Sequence, residues 1–230
     1  MSRPVVIVMV KAPRAGFVKT RLSPPLSPAD AAAIAGRFVQ DVVNNARRAV
    51  RELIVAYAPT DGREPLQALL PRGLLWMEQE GENLGARLEA AIAHAFERGF
   101  GPVIVLGADS PTLPESFIAD ACAALIGEET DAAMGPTADG GYYLLGLRAP
   151  ARGLLRDVRW STPDAFQDTA ANARRAGLRL LQLPAWRDVD TFDDLLSLRD
   201  ELFSTEAARL RAPATHRWLL THSLPPSSST

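Results

Sequence analysis

Pro102-Val103-Ile104-Val105-Leu106-Gly107-Ala108-Asp109-Ser110-Pro111-Thr112-Leu113-Pro114 is the stretch that decides the fold. Its apolar run, Val103 to Leu106, is too short for a helix and breaks at Gly107. Pro111 and Pro114 then turn the chain before another element can begin. This pattern describes a buried strand that delivers the carboxylate of Asp109 to the rim of an α/β sheet. Ligands bind at that rim, outside the carboxyl ends of the strands. An aspartate in this position also suits the cap of a following helix, and the stretch alone leaves both roles open.

Working outward, Pro4 to Val10 is nearly all β-branched and reads as a second buried strand, the first in the chain. Ser27-Pro28-Ala29-Asp30 opens a helix, with Ser27 as N-cap and Pro28 at its first position. Its core face is Ala31, Ile34, Ala35, Phe38, Val39, Val42 and Val43 at helical spacing. Strands are expected at Glu52 to Ala58, Leu74 to Met77, Asp131 to Met134, Tyr142 to Leu147 and Leu178 to Leu183. Helices are expected from Gly81-Glu82-Asn83 to Gly99 (Leu84, Leu88, Ile92 and Phe96 on one stripe), at Pro114 to Ile126 and at Thr162 to Ala176. Two more follow, one after Thr191 and one over Glu206 to Leu220. Strands alternating with helices give an α/β, doubly wound, mostly parallel sheet, with an antiparallel piece where later strands crowd together.

At 230 residues the chain is most simply one domain, taken as residues 1–221, followed by a proline- and serine-rich tail over 222–230 that is expected to be disordered. A net charge of −2 argues against a nucleic-acid binder working through bulk electrostatics, so any anion site must be local. The one cysteine, Cys122, lies among alanines and suits packing better than nucleophilic attack. His94, His216 and His222 lack metal-ligand spacing. Neither a signal peptide nor a membrane-spanning stretch is visible, and the expectation is a cytoplasmic protein. Oligomeric state leaves no mark in the sequence.

Chemistry concentrates in three places. Lys11-Ala12-Pro13-Arg14-Ala15-Gly16-Phe17-Val18-Lys19-Thr20-Arg21 follows the first strand with four cations, a glycine and no acid, which suits a phosphate but equally describes an exposed basic loop. Asp188 and Asp190 alternate, so on an extended segment both face one ligand. With Asp109 they form a hard-oxygen set suited to Mg²⁺ or Mn²⁺; alternatively they serve the helix that begins after Thr191. Asp139, beside Gly140 and Gly141, is the candidate general base. The glycines either contact an acceptor or permit a tight strand entry, and Tyr142 and Tyr143 point to opposite faces. Trp160 is either a lid or core.

The same residues resemble a family. Lys11-Ala12-Pro13 with Gly16 and Val18-Lys19-Thr20-Arg21-Leu22, Asn83-Leu84-Gly85-x-Arg87, Gly107-x-Asp109-Ser110-Pro111, Asp139-Gly140-Gly141-Tyr142-Tyr143, Trp160-Ser161-Thr162 and Asp188-Val189-Asp190-Thr191 occur in order over nearly the whole chain. Together they are similar to the small bacterial GT-A-fold proteins called glycosyltransferase-like or CofC-like, the DUF2064 group. The resemblance implies a GT-A, nucleotide-diphospho-sugar transferase-like, Rossmann-like three-layer fold with a mostly parallel mixed sheet. It implies nucleotide binding by Lys11, Ala12, Pro13, Gly16, Lys19, Arg21, Asn83 and Arg87, and acceptor contact at Gly140, Gly141 and Tyr142. Asp109 and Asp190 match the family's two metal acids. The GT-A pair Asp-x-Asp is not reproduced here, since Pro111 stands in its second position, so Asp188 and Asp190 must complete the set.

The expected activity is that of a metal-dependent transferase acting on a nucleotide sugar and a small-molecule acceptor. Two alternatives stand beside it: a nucleotidyltransferase joining a nucleoside triphosphate to a small phosphorylated acceptor, and a nucleotide-binding protein without catalysis. In the catalytic readings Asp109, Asp190 and Asp139 carry the reaction.

Overall fold

A computed structural model describes residues 3–225. Seven strands form one sheet: β1 (Val5–Lys11), β2 (Glu52–Ala58), β3 (Leu75–Glu78), β4 (Val103–Leu106), β5 (Ala132–Pro136), β6 (Tyr142–Leu147) and β7 (Leu180–Gln182). Their order is β3-β2-β1-β4-β6-β5-β7. Only β6 runs against its neighbours, pairing antiparallel with both β4 and β5. The expected mixed, mostly parallel sheet is therefore present. The order reverses between β1 and β4, where the chain builds outward in opposite directions. A crevice opens at the carboxyl ends of two strands related in this way.

The hydrophobic runs form buried strands because helices cover both faces. On one face lie α1 (Pro28–Ala49), α2 (Arg63–Leu69) and α4 (Glu115–Ile126), burying residues such as Val42, Leu66 and Ile118 against β1, β2 and β4. On the other lie α3 (Leu84–Glu97) and α5 (Ala165–Arg175), through Leu88, Ile92, Phe166 and Ala170. Tyr142 and Tyr143 go to opposite faces, as alternation requires, with Tyr143 in the first cluster and Tyr142 against the second.

A further layer covers the outer side of α1. There α6 (Phe192–Ser204), α7 (Glu206–Arg211) and α8 (Pro213–Thr221) bury Leu195, Leu198, Leu202 and Trp218 against Ile34 and Phe38. The single terminal helix expected over 206–220 is instead two, broken at Ala212, because Pro213 lacks the N–H that would continue the first. Asp41 of α1 fixes the second. Its carboxylate accepts from Ala214 N (2.9 Å), Thr215 N (2.8 Å) and Thr215 Oγ1 (2.7 Å), capping α8 across 173 residues of sequence. Beyond α8, His222 stacks on Trp218 at 4.1 Å and Leu224 packs on the helical cluster, so the expected tail begins later than 222. Its last part, 226–230, lies outside the described residues. No described helix is long and apolar enough to cross a membrane.

Candidate active site

Asp109 is not a helix cap. The helix after it starts at Glu115, with Pro114 in the cap position, so the carboxylate at the end of β4 takes no part in capping it. The turn that carries it is held from below by Asn45 of α1, whose buried amide donates to the carbonyls of Pro111 (3.1 Å) and Leu113 (3.4 Å). The late acidic segment docks on the same turn through Val189 N to Asp109 O, 3.0 Å, and through the Ser110 hydroxyl, which donates to Asp188. Thr191 and Asp194 form a reciprocal capping box at the start of α6. That box meets the helix's needs, leaving Asp188 and Asp190 to face the cleft.

The cleft has a volume of about 930 Å³ and lies over the carboxyl ends of β1 and β4, at the reversal of strand order. Asp109, Asp188 and Asp190 line one part of it; Lys11, Lys19, Arg21, Asn83 and Arg87 line another; Asp139, Gly141 and Tyr142 line a third. Lys11, Arg21 and Arg87 have no ion-pair partner among the described residues, so their charge is available to a ligand. Lys19 is different. Its ammonium lies 2.5 Å from Asp109 and 2.8 Å from Asp190, and its side chain is only 8% exposed. Burial pulls its pKa down, but the two carboxylates outweigh that, and the net shift is upward. Asp188 moves the other way for an acid: burial, with the charges of Asp109 and Asp190 adding, pushes it up to about 7 despite the Ser110 hydroxyl and Lys19.

These carboxylates suit a divalent cation in donor chemistry, and Asp109 and Asp190 converge on one cation position. That position holds the Lys19 ammonium, and among the described residues no group of three acidic, histidine or cysteine side chains is arranged to enclose a metal.

Several expected ligand residues are placed elsewhere. Ala12 is buried beneath Gly62, Pro13 packs against Gly36, and Gly16, with nothing within 4 Å of its Cβ position, shapes the loop without lining the cleft. Arg14 pairs with Asp61 at 2.6 Å. Gly140 also serves packing: its φ is +86°, and a Cβ would lie 2.0 Å from the Pro163 carbonyl oxygen, so the close approach is to backbone. Asp139 accepts from Thr137 Oγ1 (2.5 Å) and Gly141 N (3.1 Å), both at Oδ1, which shapes the turn and leaves Oδ2 outside those two bonds in a residue that lines the cleft. Trp160 lies over Gly85, where a Cβ would come within 2.6 Å of the indole nitrogen, and meets Tyr142 edge-on at 6.1 Å. It is a wall of the cleft. Arg159 holds that wall through Asp164 (2.6 Å) and Asp168 (2.8 Å).

Gln79, Phe17 and Leu84 line the cleft without having been singled out as ligand residues. Gln79, directly after β3, donates both amide hydrogens to the carbonyls of Val10 (3.1 Å) and Ala56 (2.8 Å), and its position at a strand end was the available signal. Phe17 and Leu84 stand at the cleft mouth, 79% and 46% exposed; helical periodicity had assigned Leu84 to the core stripe.

The family model described as an uncharacterized protein conserved in bacteria (DUF2064) matches residues 42–162. The chain belongs to this family. No curated protein matches this DUF2064 chain. Among solved structures, it is similar to a protein of Desulfovibrio desulfuricans G20 that is named for an inferred nucleotide-diphospho-sugar transferase activity. Identity is 35% over 96% of this chain and 95% of that one, with a TM-score of 0.86. More distant likenesses show the fold alone. CMP:2-keto-3-deoxy-manno-octonic acid synthetase, complexed with CTP, is 16% identical over 88% of this chain and 99% of that one (TM-score 0.58). Rv0371c of Mycobacterium tuberculosis H37Rv, complexed with manganese, is 18% identical over 89% and 100% (TM-score 0.53).

Proposed function

We propose that this DUF2064 protein is a transferase that takes a nucleotide sugar as donor, uses Mg²⁺ or Mn²⁺, and passes the sugar to a small-molecule acceptor. One observation carries the reading. Acids and unpaired cations converge at the reversal of strand order, where an anionic ligand meets Lys11, Arg21 and Arg87 on one side and a cation-seeking acid pair on the other. The activity named for the 35%-identical relative supports the same donor class. The protein is proposed to work in the cytoplasm, with no nucleic acid in its reaction.

In this reading the cations bind the donor's diphosphate, and Asp109 and Asp190 hold the metal, with Asp188 beside them. A metal held there would neutralise charge that builds on the leaving nucleoside diphosphate. The bond between the sugar's anomeric carbon and the diphosphate oxygen breaks, and the acceptor's nucleophilic atom bonds to that carbon. Asp139 Oδ2 takes the acceptor's proton, while Oδ1 keeps the turn in place. Gly141 and Tyr142 face the acceptor, and Trp160 excludes water from that end. Asp139→Asn preserves the turn-forming oxygen and removes the base, so turnover should fall about 10²-fold with donor affinity unchanged. Unchanged turnover would remove Asp139 from the mechanism.

A specific feature favours a second reading, nucleotidyl transfer from a nucleoside triphosphate. The acids come from two distant segments, Asp109 and Asp188/Asp190, in place of the adjacent Asp-x-Asp of glycosyltransferases. Thermal stabilisation by a panel of nucleotide sugars and nucleoside triphosphates with Mg²⁺ separates the two. Stabilisation by sugar diphosphates alone supports glycosyl transfer. Stabilisation by triphosphates, with pyrophosphate released on adding acceptor, supports the alternative. No stabilisation by any nucleotide overturns both.

A further inference from the structure

The cation that Asp109 and Asp190 share belongs to the protein. Lys19 occupies the left-handed region at φ 47°, a conformation disfavoured for a residue with a Cβ and retained where the surroundings demand it. Its ammonium sits 6.0 Å from the Phe38 ring centroid and bonds both carboxylates. A divalent ion binding the same two oxygens would need them at about 2.1 Å, inside the space the ammonium fills. Metal and ammonium therefore compete for one position.

The competition is unequal when nothing else is bound. Removing the ammonium from the acid pair leaves a mostly buried cation without a counter-charge, which is costly. That cost disappears when an anion enters the cleft beside it. The loop that carries Lys19 also brings Lys11 and Arg21 to the cleft, so a diphosphate held by those two lies within the same charged pocket.

We propose that Lys19 is the resident counter-cation of the acid pair and makes metal binding conditional on the donor. Without a diphosphate, Lys19 holds Asp109 and Asp190 and excludes the metal. When a diphosphate arrives with its metal, the ammonium passes from carboxylate to phosphate and the metal takes its place. The inference rests on the nucleotide-donor reading but fixes something beyond it: the free protein does not take up metal, and the donor enters as its metal complex.

Manganese alone tests this, without nucleotide, by electron paramagnetic resonance of the unbound ion. Wild type should bind Mn²⁺ at least tenfold more weakly than Lys19→Met. The gain should vanish in Lys19→Met/Asp190→Asn, which assigns it to this acid pair. Equal affinity in wild type and Lys19→Met overturns the proposal. A measurement on the unaltered protein guards against a variant that does not fold: the Lys19 ammonium protons, held by two carboxylates, should give a resolvable NMR signal. That signal should be unmoved by Mg²⁺ and lost or shifted when Mg²⁺ is added with methylenediphosphonate. A shift with Mg²⁺ alone overturns the inference and leaves the donor reading intact. No response to the diphosphonate, together with no thermal stabilisation by it, overturns the donor reading and the inference with it.

Discussion

Asp41 and Asp188 are both buried acids, and burial pushes both upward, to about 6 and about 7. Their surroundings differ. Asp41 receives two backbone N–H groups and a hydroxyl at the start of α8, where the helix dipole also favours an anion. Asp188 receives one hydroxyl, from Ser110, and faces the charges of Asp109 and Asp190. A carboxylate whose oxygens are met by fixed donors is part of the scaffold. A carboxylate crowded by like charges, in a cleft, is held there at a cost to stability, and such sites are where function is found. One acid pins a helix; the other belongs to a site where three carboxylates share the single buried ammonium of Lys19.

The largest effect that separates them is on chemistry. Asp190→Asn should lower turnover on the order of 10³-fold, the scale of losing a metal's stabilisation of transition-state charge, while the melting temperature stays within a few degrees. Asp41→Ala should leave turnover per folded molecule unchanged. If both variants lose activity equally after correction for folding, the division between scaffold and site collapses.

Stability should respond in the opposite order. Asp41→Ala strips the cap from α8 and strands two N–H groups, costing roughly 3 kcal/mol and lowering the melting temperature by about 6–12 °C. Differential scanning calorimetry checks this, and a loss of under 2 °C would show that α8 does not depend on Asp41.

The smallest effect carries a sign. Because the folded-state pKa of Asp188 lies above its unfolded value, the protonated form favours folding. That contribution is complete below about pH 4 and is lost as pH rises through about 7. Asp188→Asn removes the charge, so the variant should be more stable than wild type by roughly 2 kcal/mol at pH 8, with the advantage shrinking toward pH 5. An advantage independent of pH would mean that Asp188 is not the group titrating.

Much of this was legible from local pattern. The β-branched runs of β1 and β4, Ser27-Pro28 opening α1 and Thr191 opening α6 are set by neighbours in sequence, and each formed where its residues indicated. Asp109 was legible as a strand-end acid, but its release from capping depended on where α4 begins. What local pattern could not supply was pairing over distance. Lys19 read as one phosphate-binding cation among four because nothing nearby in sequence names its partners, and Asp190 lies 171 residues away. Asp41 carries no local signal of its role, because the groups it caps, at Ala214 and Thr215, lie 173 and 174 residues away. Gly140 read as either an acceptor contact or a tight strand entry, and the close approach it permits is to the backbone of Pro163.

The most direct test of the central claim is calorimetric titration with nucleotide diphosphates and their sugars, with and without Mg²⁺, on wild type and Asp109→Asn. The structure predicts binding by wild type that tightens at least tenfold with Mg²⁺, and an Asp109→Asn variant that has lost the Mg²⁺-dependent gain while keeping the fold. Equal, Mg²⁺-independent affinity in both proteins would contradict it.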